Sequence, residues 1–131
     1  MKTPLQTPTE QVLGDVEIQS ESKPEPKTAL EKLYERAPVM KKIAWCESNN
    51  RQYDRHGNVL IGFSGADKGL FQINQVHWRK ARELGYDLDT RQGNAQFARY
   101  LYEREDTDPW YASAHCWRHI TLADINHHFD L

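Results

Sequence analysis

The sequence predicts an α+β domain, mainly α, with a small β-hairpin beside a groove. Three observations carry this expectation. The run Val39-Met40-Lys41-Lys42-Ile43-Ala44-Trp45-Cys46 is apolar at helical spacing. A second helical stripe of Ala95, Phe97, Ala98, Leu101 and Tyr102 marks the central core helix. Between them, the turn-forming His56-Gly57-Asn58 leads into the strand-like Val59-Leu60-Ile61.

The elements follow in chain order. Residues 1 to 27 hold four of the six prolines among Thr, Gln, Ser and Glu. Such a composition cannot bury enough apolar surface to offset the entropy of ordering, so this stretch is expected to be a disordered leader or linker. The folded domain is expected over 28–131. Thr28 suits the N-cap of the first helix, with Glu31 completing a capping box and Leu30, Leu33 and Tyr34 as its apolar stripe. Pro38 fits the first turn of a second helix, which the polar triplet Ser48-Asn49-Asn50 stops. Residues 51–66 read as a short hairpin, and Gly62, Gly65 and Gly69 give the backbone freedom around Asp67. Val76, Trp78 and Ala81 suggest a helix over 75–84 that Gly85 ends, and Thr90 or Asp89 caps the core helix. Pro109 opens a short helix through Cys116, and Ile120, Leu122, Ile125 and Phe129 supply one more packed turn or helix.

The chain has 131 residues, enough for one core. Its net charge of −2 gives no strong attraction to nucleic acid or anionic lipid. No apolar run approaches the length of a membrane span. The stretch from Met1 to Pro8 lacks the apolar core of a secretory signal. The six histidines show no His-Glu-x-x-His spacing, and no paired Cys-x-x-Cys occurs, so no metal and no cofactor is expected. No glycine-rich phosphate cradle is present either.

The chemistry concentrates in Glu47-Ser48-Asn49 and, twenty residues after Glu47, in Asp67-Lys68-Gly69-Leu70-Phe71-Gln72-Ile73-Asn74. One acid is expected at the end of a buried helix and another at a glycine-containing turn. Two carboxyl groups facing across a groove are the usual equipment for breaking a glycosidic bond. Partial burial of Glu47 disfavours its charged form and raises its pKa, as a general acid at neutral pH requires. Against this stands the plain alternative of a helix-terminal surface glutamate. Alternation from Gly69 places Phe71 and Ile73 on one face and Leu70, Gln72 and Asn74 on the other.

These motifs resemble the lysozyme-like superfamily of peptidoglycan-cleaving enzymes. Glu-Ser-Asn followed by Asp-x-Gly-x-x-Gln-Ile-Asn is similar to the core of chicken-type lysozymes, and Gly-Leu-Phe-Gln-Ile to the second motif of lytic transglycosylases. Cys46-Glu47-Ser48, with Pro109-Trp110-Tyr111-Ala112-Ser113 and Cys116-Trp117, resembles the resuscitation-promoting-factor branch. The resemblance covers about Leu33 to Trp117.

The resemblance implies a lysozyme-like fold and cleavage between N-acetylmuramic acid and N-acetylglucosamine in peptidoglycan strands, by a monomer. Glu47 becomes the general acid. Asp67 becomes the second carboxylate, with Asp54 as a rival; either is equally a turn-capping aspartate. Transglycosylases dispense with a second acid and leave a 1,6-anhydro product. Gln72 and Asn74 line the sugar groove, Ser48 orients Glu47 or caps the backbone, and Tyr100, Trp110 and Tyr111 are candidate sugar contacts, each equally a packing residue. Trp45, Trp78 and Trp117 read as core or edge residues. The branch also implies a bridge between Cys46 and Cys116, the alternative being two buried free thiols. The expected location is extracytoplasmic or at the cell wall, with an export signal removed or with release by a phage lysis route. Two other readings stand beside the enzyme: a wall-glycan-binding module on the same fold that does not cut, and an intracellular helical adaptor.

Overall fold

A computed structural model of the chain describes residues 26–129, so nearly all of the expected leader lies outside the described residues. The described chain is mainly helical with one small antiparallel sheet. Helix α1 spans Ala29–Arg36, and its capping box is formed: Thr28 Oγ1 accepts from Glu31 N–H, while Glu31 accepts from Thr28 N–H. Helix α2 spans Pro38–Ser48, with Pro38 in its first turn. It ends because Asn49 and Asn50 both take positive φ, 58° and 62°. Asparagine tolerates this left-handed geometry better than most residues, and the Asn49 N–H then satisfies orphan carbonyls at Ala44 and Trp45. The Tyr34 hydroxyl donates to Asn50 Oδ1 at 2.7 Å, tying α1 to the end of α2.

The hairpin differs from expectation. Val59-Leu60-Ile61 forms no regular strand; Tyr53 pairs with Val59, and Ile61 with Lys68, as isolated bridges. The sheet itself joins β1 (Asp67–Lys68) to β2 (Ile73–Asn74), with Asp67 opposite Asn74. The cause is a succession of tight turns. Asp54 Oδ1 accepts from His56 and Asn58 N–H, folding the chain back at Gly57, and Gly65 N–H bonds the Gly62 carbonyl a few residues on. Each extended piece is therefore only one or two residues long. The expected alternation over 69–74 also fails. Leu70, Phe71 and Ile73 are all buried, because residues 69–72 form a turn and not a strand, with Gln72 at φ 46°.

The next helix starts as a 3₁₀ turn over Gln75–His77 and becomes α3 over Trp78–Glu83. Ala81 is buried as expected, but Val76 is exposed, since it lies on the 3₁₀ turn. Helix α4, Arg91–Glu105, is capped by Thr90 and buries Ala95, Phe97, Ala98 and Leu101. A 3₁₀ segment, Asp108–Ser113, leads into α5, Ala114–Trp117; non-helical φ/ψ at Trp110 divide what Pro109 opens into two short pieces. Helix α6, Leu122–Phe129, packs on α2, and its Ile125 is fully buried.

The core sits among α1, α2, α4 and the 70–73 turn, with Met40, Ile43, Leu70, Phe71, Ile73 and Phe97 almost wholly removed from water. Burial of each such side chain stabilises by roughly 1.5–3 kcal/mol. Trp117 joins this core, and Trp78 lies half-buried at its edge, its indole N–H bonded to the Ile73 carbonyl. The Cys46–Cys116 disulfide is formed and links α2 to α5.

Candidate active site

Glu47 occupies the last turn of α2, two residues before the left-handed pair that stops the helix. Its side chain is half-buried. The Ser113 hydroxyl donates to Glu47 Oε2 at 2.7 Å. Burial pushes the Glu47 carboxyl above its ordinary value; the Ser113 bond opposes this, and the neighbouring Asp67 charge adds to it. The negative end of the α2 dipole acts in the same direction as burial.

A surface depression of about 230 Å³ opens beside Glu47, lined among others by Arg51, Leu60, Ile61, Gly62 and Gln72. Larger depressions, about 380 and 530 Å³, lie against Trp78 and Asp89 and against Gln96 and Tyr100. Neither includes Glu47 or Asp67, so size is a poor guide to chemistry here. Among the described residues, no group of three or more His, Cys, Asp or Glu side chains could hold a metal ion.

Two buried polar side chains hold the 68–71 turn in place. Gln52 Oε1 accepts from Leu70 N–H at 2.8 Å, and Asn94 Oδ1 accepts from Phe71 N–H at 2.9 Å. Their amide nitrogens donate to the Leu88 carbonyl, and Asn94 also donates to that of Lys68. The 68–71 turn is thus clamped from both sides. Gly69, at φ +79°, leaves the space: a Cβ there would lie 2.3 Å from Asn94 Nδ2. Gly62 plays a similar part nearer the opening, where a Cβ would lie 2.6 Å from Gln72 Oε1.

The expected site residues separate into two groups. Glu47, Ser48 and Gln72 line one depression, and Asp67 lies within electrostatic reach of Glu47. Asn74 Nδ2 donates to Asp67 Oδ1 at 2.9 Å and orients that carboxylate, while its own Oδ1 caps the following turn through Val76 N–H. Gln72 Nε2 donates to the Gly69 and Leu60 carbonyls, which fixes the side chain at the rim. Ser48 is buried. Its hydroxyl lies 2.6 Å from the Leu70 carbonyl and 3.1 Å from that of Ala44, so it ties α2 to the 70–73 turn and is not free to hold a sugar.

The aromatic and rival-acid assignments need correction. Trp110 is buried, its indole N–H bonded to the Phe71 carbonyl at 2.9 Å and its ring against Phe71; it offers no open face to a sugar. Tyr100 stacks on Phe97 beneath Arg104 and lines a depression that shares no residue with the one at Glu47. Asp54 is bonded by Asn58 and His56 N–H, which hold its carboxyl below the usual range, and this makes it a turn-capping aspartate. Tyr111 stays exposed on the 3₁₀ segment that carries Ser113, with the Arg118 guanidinium 5.5 Å from its ring centre.

Gln52, Asn94 and Arg51 carry no sequence signal, and Ser113 stands in the sequence only as the last residue of a motif, with no role attached. Nothing near position 113 announces a partner at 47. The usable signal is the cysteine pair: Cys46 adjoins Glu47, and Cys116 lies three residues past Ser113, so a bridge between them brings 47 and 113 together. The chain matches no protein-family model, and no curated protein or solved structure is significantly similar to it.

Proposed function

We propose that this chain is a lysozyme-like domain that cleaves the bond between N-acetylmuramic acid and N-acetylglucosamine in peptidoglycan, as a lytic transglycosylase or a muramidase working outside the cytoplasm. The observation that carries the reading is the half-buried Glu47 carboxyl, raised in pKa, bonded to Ser113 and close to a second carboxylate at the rim of an open depression.

In this mechanism protonated Glu47 gives its proton to the glycosidic oxygen, and the C1–O bond breaks with positive charge growing on the sugar ring. Asp67, oriented by Asn74, stabilises that charge or bonds to C1. Water then adds to C1, breaking any Asp67–C1 bond and releasing the carboxylate, and leaves a reducing end; or, where Asp67 has only stabilised the charge, the sugar's own hydroxyl closes on C1 and leaves a 1,6-anhydro end. In either branch the proton taken from the attacking hydroxyl returns to Glu47. Ser113 serves both charge states of Glu47, and Gln72 borders the sugar. The test is mass spectrometry of purified peptidoglycan after incubation, with Glu47→Gln as control. Muropeptides with new reducing or anhydro ends, absent from the control, support the reading. Glycan binding without any product would point instead to a non-catalytic wall-binding module.

A further inference from the structure

We infer that Arg51 recognises a carboxylate carried by a substituent of the glycan next to the bond that Glu47 would break, and so selects acidic over neutral glycan strands. This rests on the proposed site and names the feature of the substrate that the site reads.

Among the described residues, Arg51 is the only cation lining the Glu47 depression. Its root is anchored to the same helical turn as the acid: the backbone N–H meets Ser48 Oγ at 3.1 Å, and Nε donates to the Ser48 carbonyl at 3.4 Å. A residue that merely capped α2 would be satisfied by those contacts. The two terminal nitrogens remain, however, and among the described residues they meet no acceptor, nor does any carboxylate come within ion-pair distance. Arg51 is exposed, so the fork is open to a ligand. A guanidinium held at Nε with its Nη groups outward is arranged to take a carboxylate through two parallel N–H bonds.

Charge balance points the same way. Among the described residues no ion pair joins Arg51 to Glu47, so this cation is not committed to the acid. When Glu47 holds its proton, the lining of the depression is positive through Arg51 alone. A neutral polymer such as chitin gives that charge nothing to meet. A muramyl strand does, through the lactyl carboxylate of a peptide-free sugar or through a carboxylate of its stem peptide.

Calorimetry on Glu47→Gln, which binds without cutting, separates these cases. The ligands are peptide-stripped glycan strands with free lactyl carboxylates, the same strands methyl-esterified, and peptide-bearing strands. The free acid is expected to bind about tenfold more tightly than the ester, less so at high salt. Adding Arg51→Gln abolishes the preference, and Arg51→Lys retains part of it, with unchanged thermal midpoints showing that both variants fold. Tight, Arg51-dependent binding of peptide-bearing strands assigns the carboxylate to the stem peptide; its restriction to stripped strands assigns it to the lactyl group. Equal affinity for acid and ester, a preference that survives Arg51→Gln, or no binding of any strand overturns the inference. Failure of the cleavage reading is distinct: the wild type would release no product although Glu47→Gln still discriminates acid from ester.

Discussion

The Ser113 hydroxyl oxygen lies 2.7 Å from Glu47 Oε2 and 3.1 Å from the Trp110 carbonyl, and this double position lets one side chain serve both charge states of the acid. With Glu47 ionised, the single hydroxyl proton points to the carboxylate. With Glu47 protonated, Glu47 donates to the Ser113 oxygen, and the serine proton turns to Trp110. The buried Trp110, though no sugar platform, therefore anchors the segment that supplies the partner of Glu47.

Removing that partner has a signed consequence. The serine bond favours the charged form of Glu47, so Ser113→Ala raises the Glu47 pKa further. A general acid loses activity as pH rises through its pKa, so the alkaline limb of the kcat/KM profile moves to higher pH in Ser113→Ala. Activity near neutrality changes by less than about tenfold, and Ser113→Thr restores the original limb. A limb that stays put or moves to lower pH contradicts the assignment.

Glu47→Gln removes the proton donor and costs about 10²–10⁴ in rate. Its stability should depend on pH. Since the folded-state pKa is raised, folding with a protonated Glu47 is favoured below the unfolded value near 4.3, and that contribution is lost as pH climbs through the folded value. Glutamine carries no such dependence. In paired thermal melts, the variant gains on the wild type as pH rises from about 4 to 7. A constant difference across that range would mean that the carboxyl is not buried in solution.

Gly69→Ala tests the clamp. The new Cβ would have to displace Asn94, and alanine would have to adopt φ +79°. Strain and the disturbed Gln52 and Asn94 bonds together destabilise by about 3 kcal/mol or more. Chemical denaturation measures the loss; a change below about 1 kcal/mol would show that the turn relaxes freely.

Reduction of the Cys46–Cys116 bridge frees a loop of sequence separation 70. The chain-entropy model assigns such a loop about 4 kcal/mol, which lowers the melting midpoint by more than about 10 °C in a domain of this size. Activity should fall in parallel, because the bridge holds the Ser113 segment against the Glu47 turn. A reduced protein with the same midpoint would contradict this.

The helices were legible because their signals are local. Thr28 and Glu31 cap α1, Pro38 and Asn49 bound α2, and Thr90 starts α4 within a few residues of where the chain pattern indicates. Motif order pairs Glu47 with Asp67 but leaves Asp54 as a rival; the structure brings Asp67 within electrostatic reach of Glu47. The hairpin was not legible, because Gly62, Gly65 and the Asp54 turn break it into bridges too short for alternation to apply. Leu70 was placed on the wrong face for the same reason. Trp110, Tyr100 and Ser113 depended on tertiary packing over dozens of residues, for which aromatic or hydroxyl character at one position carries no direction. Gln52 and Asn94 look like ordinary surface amides in the sequence; only the unpaired N–H groups of Leu70 and Phe71, created by the turn, make them structural.

The central claim is that position 47 keeps a proton in a partly dry pocket, and a carboxyl-carbon NMR titration of Glu47 in the intact, disulfide-bonded protein tests it most directly. A midpoint clearly above the ordinary glutamate value, rising again in Ser113→Ala, is the predicted result. A midpoint at or below that value would contradict the account.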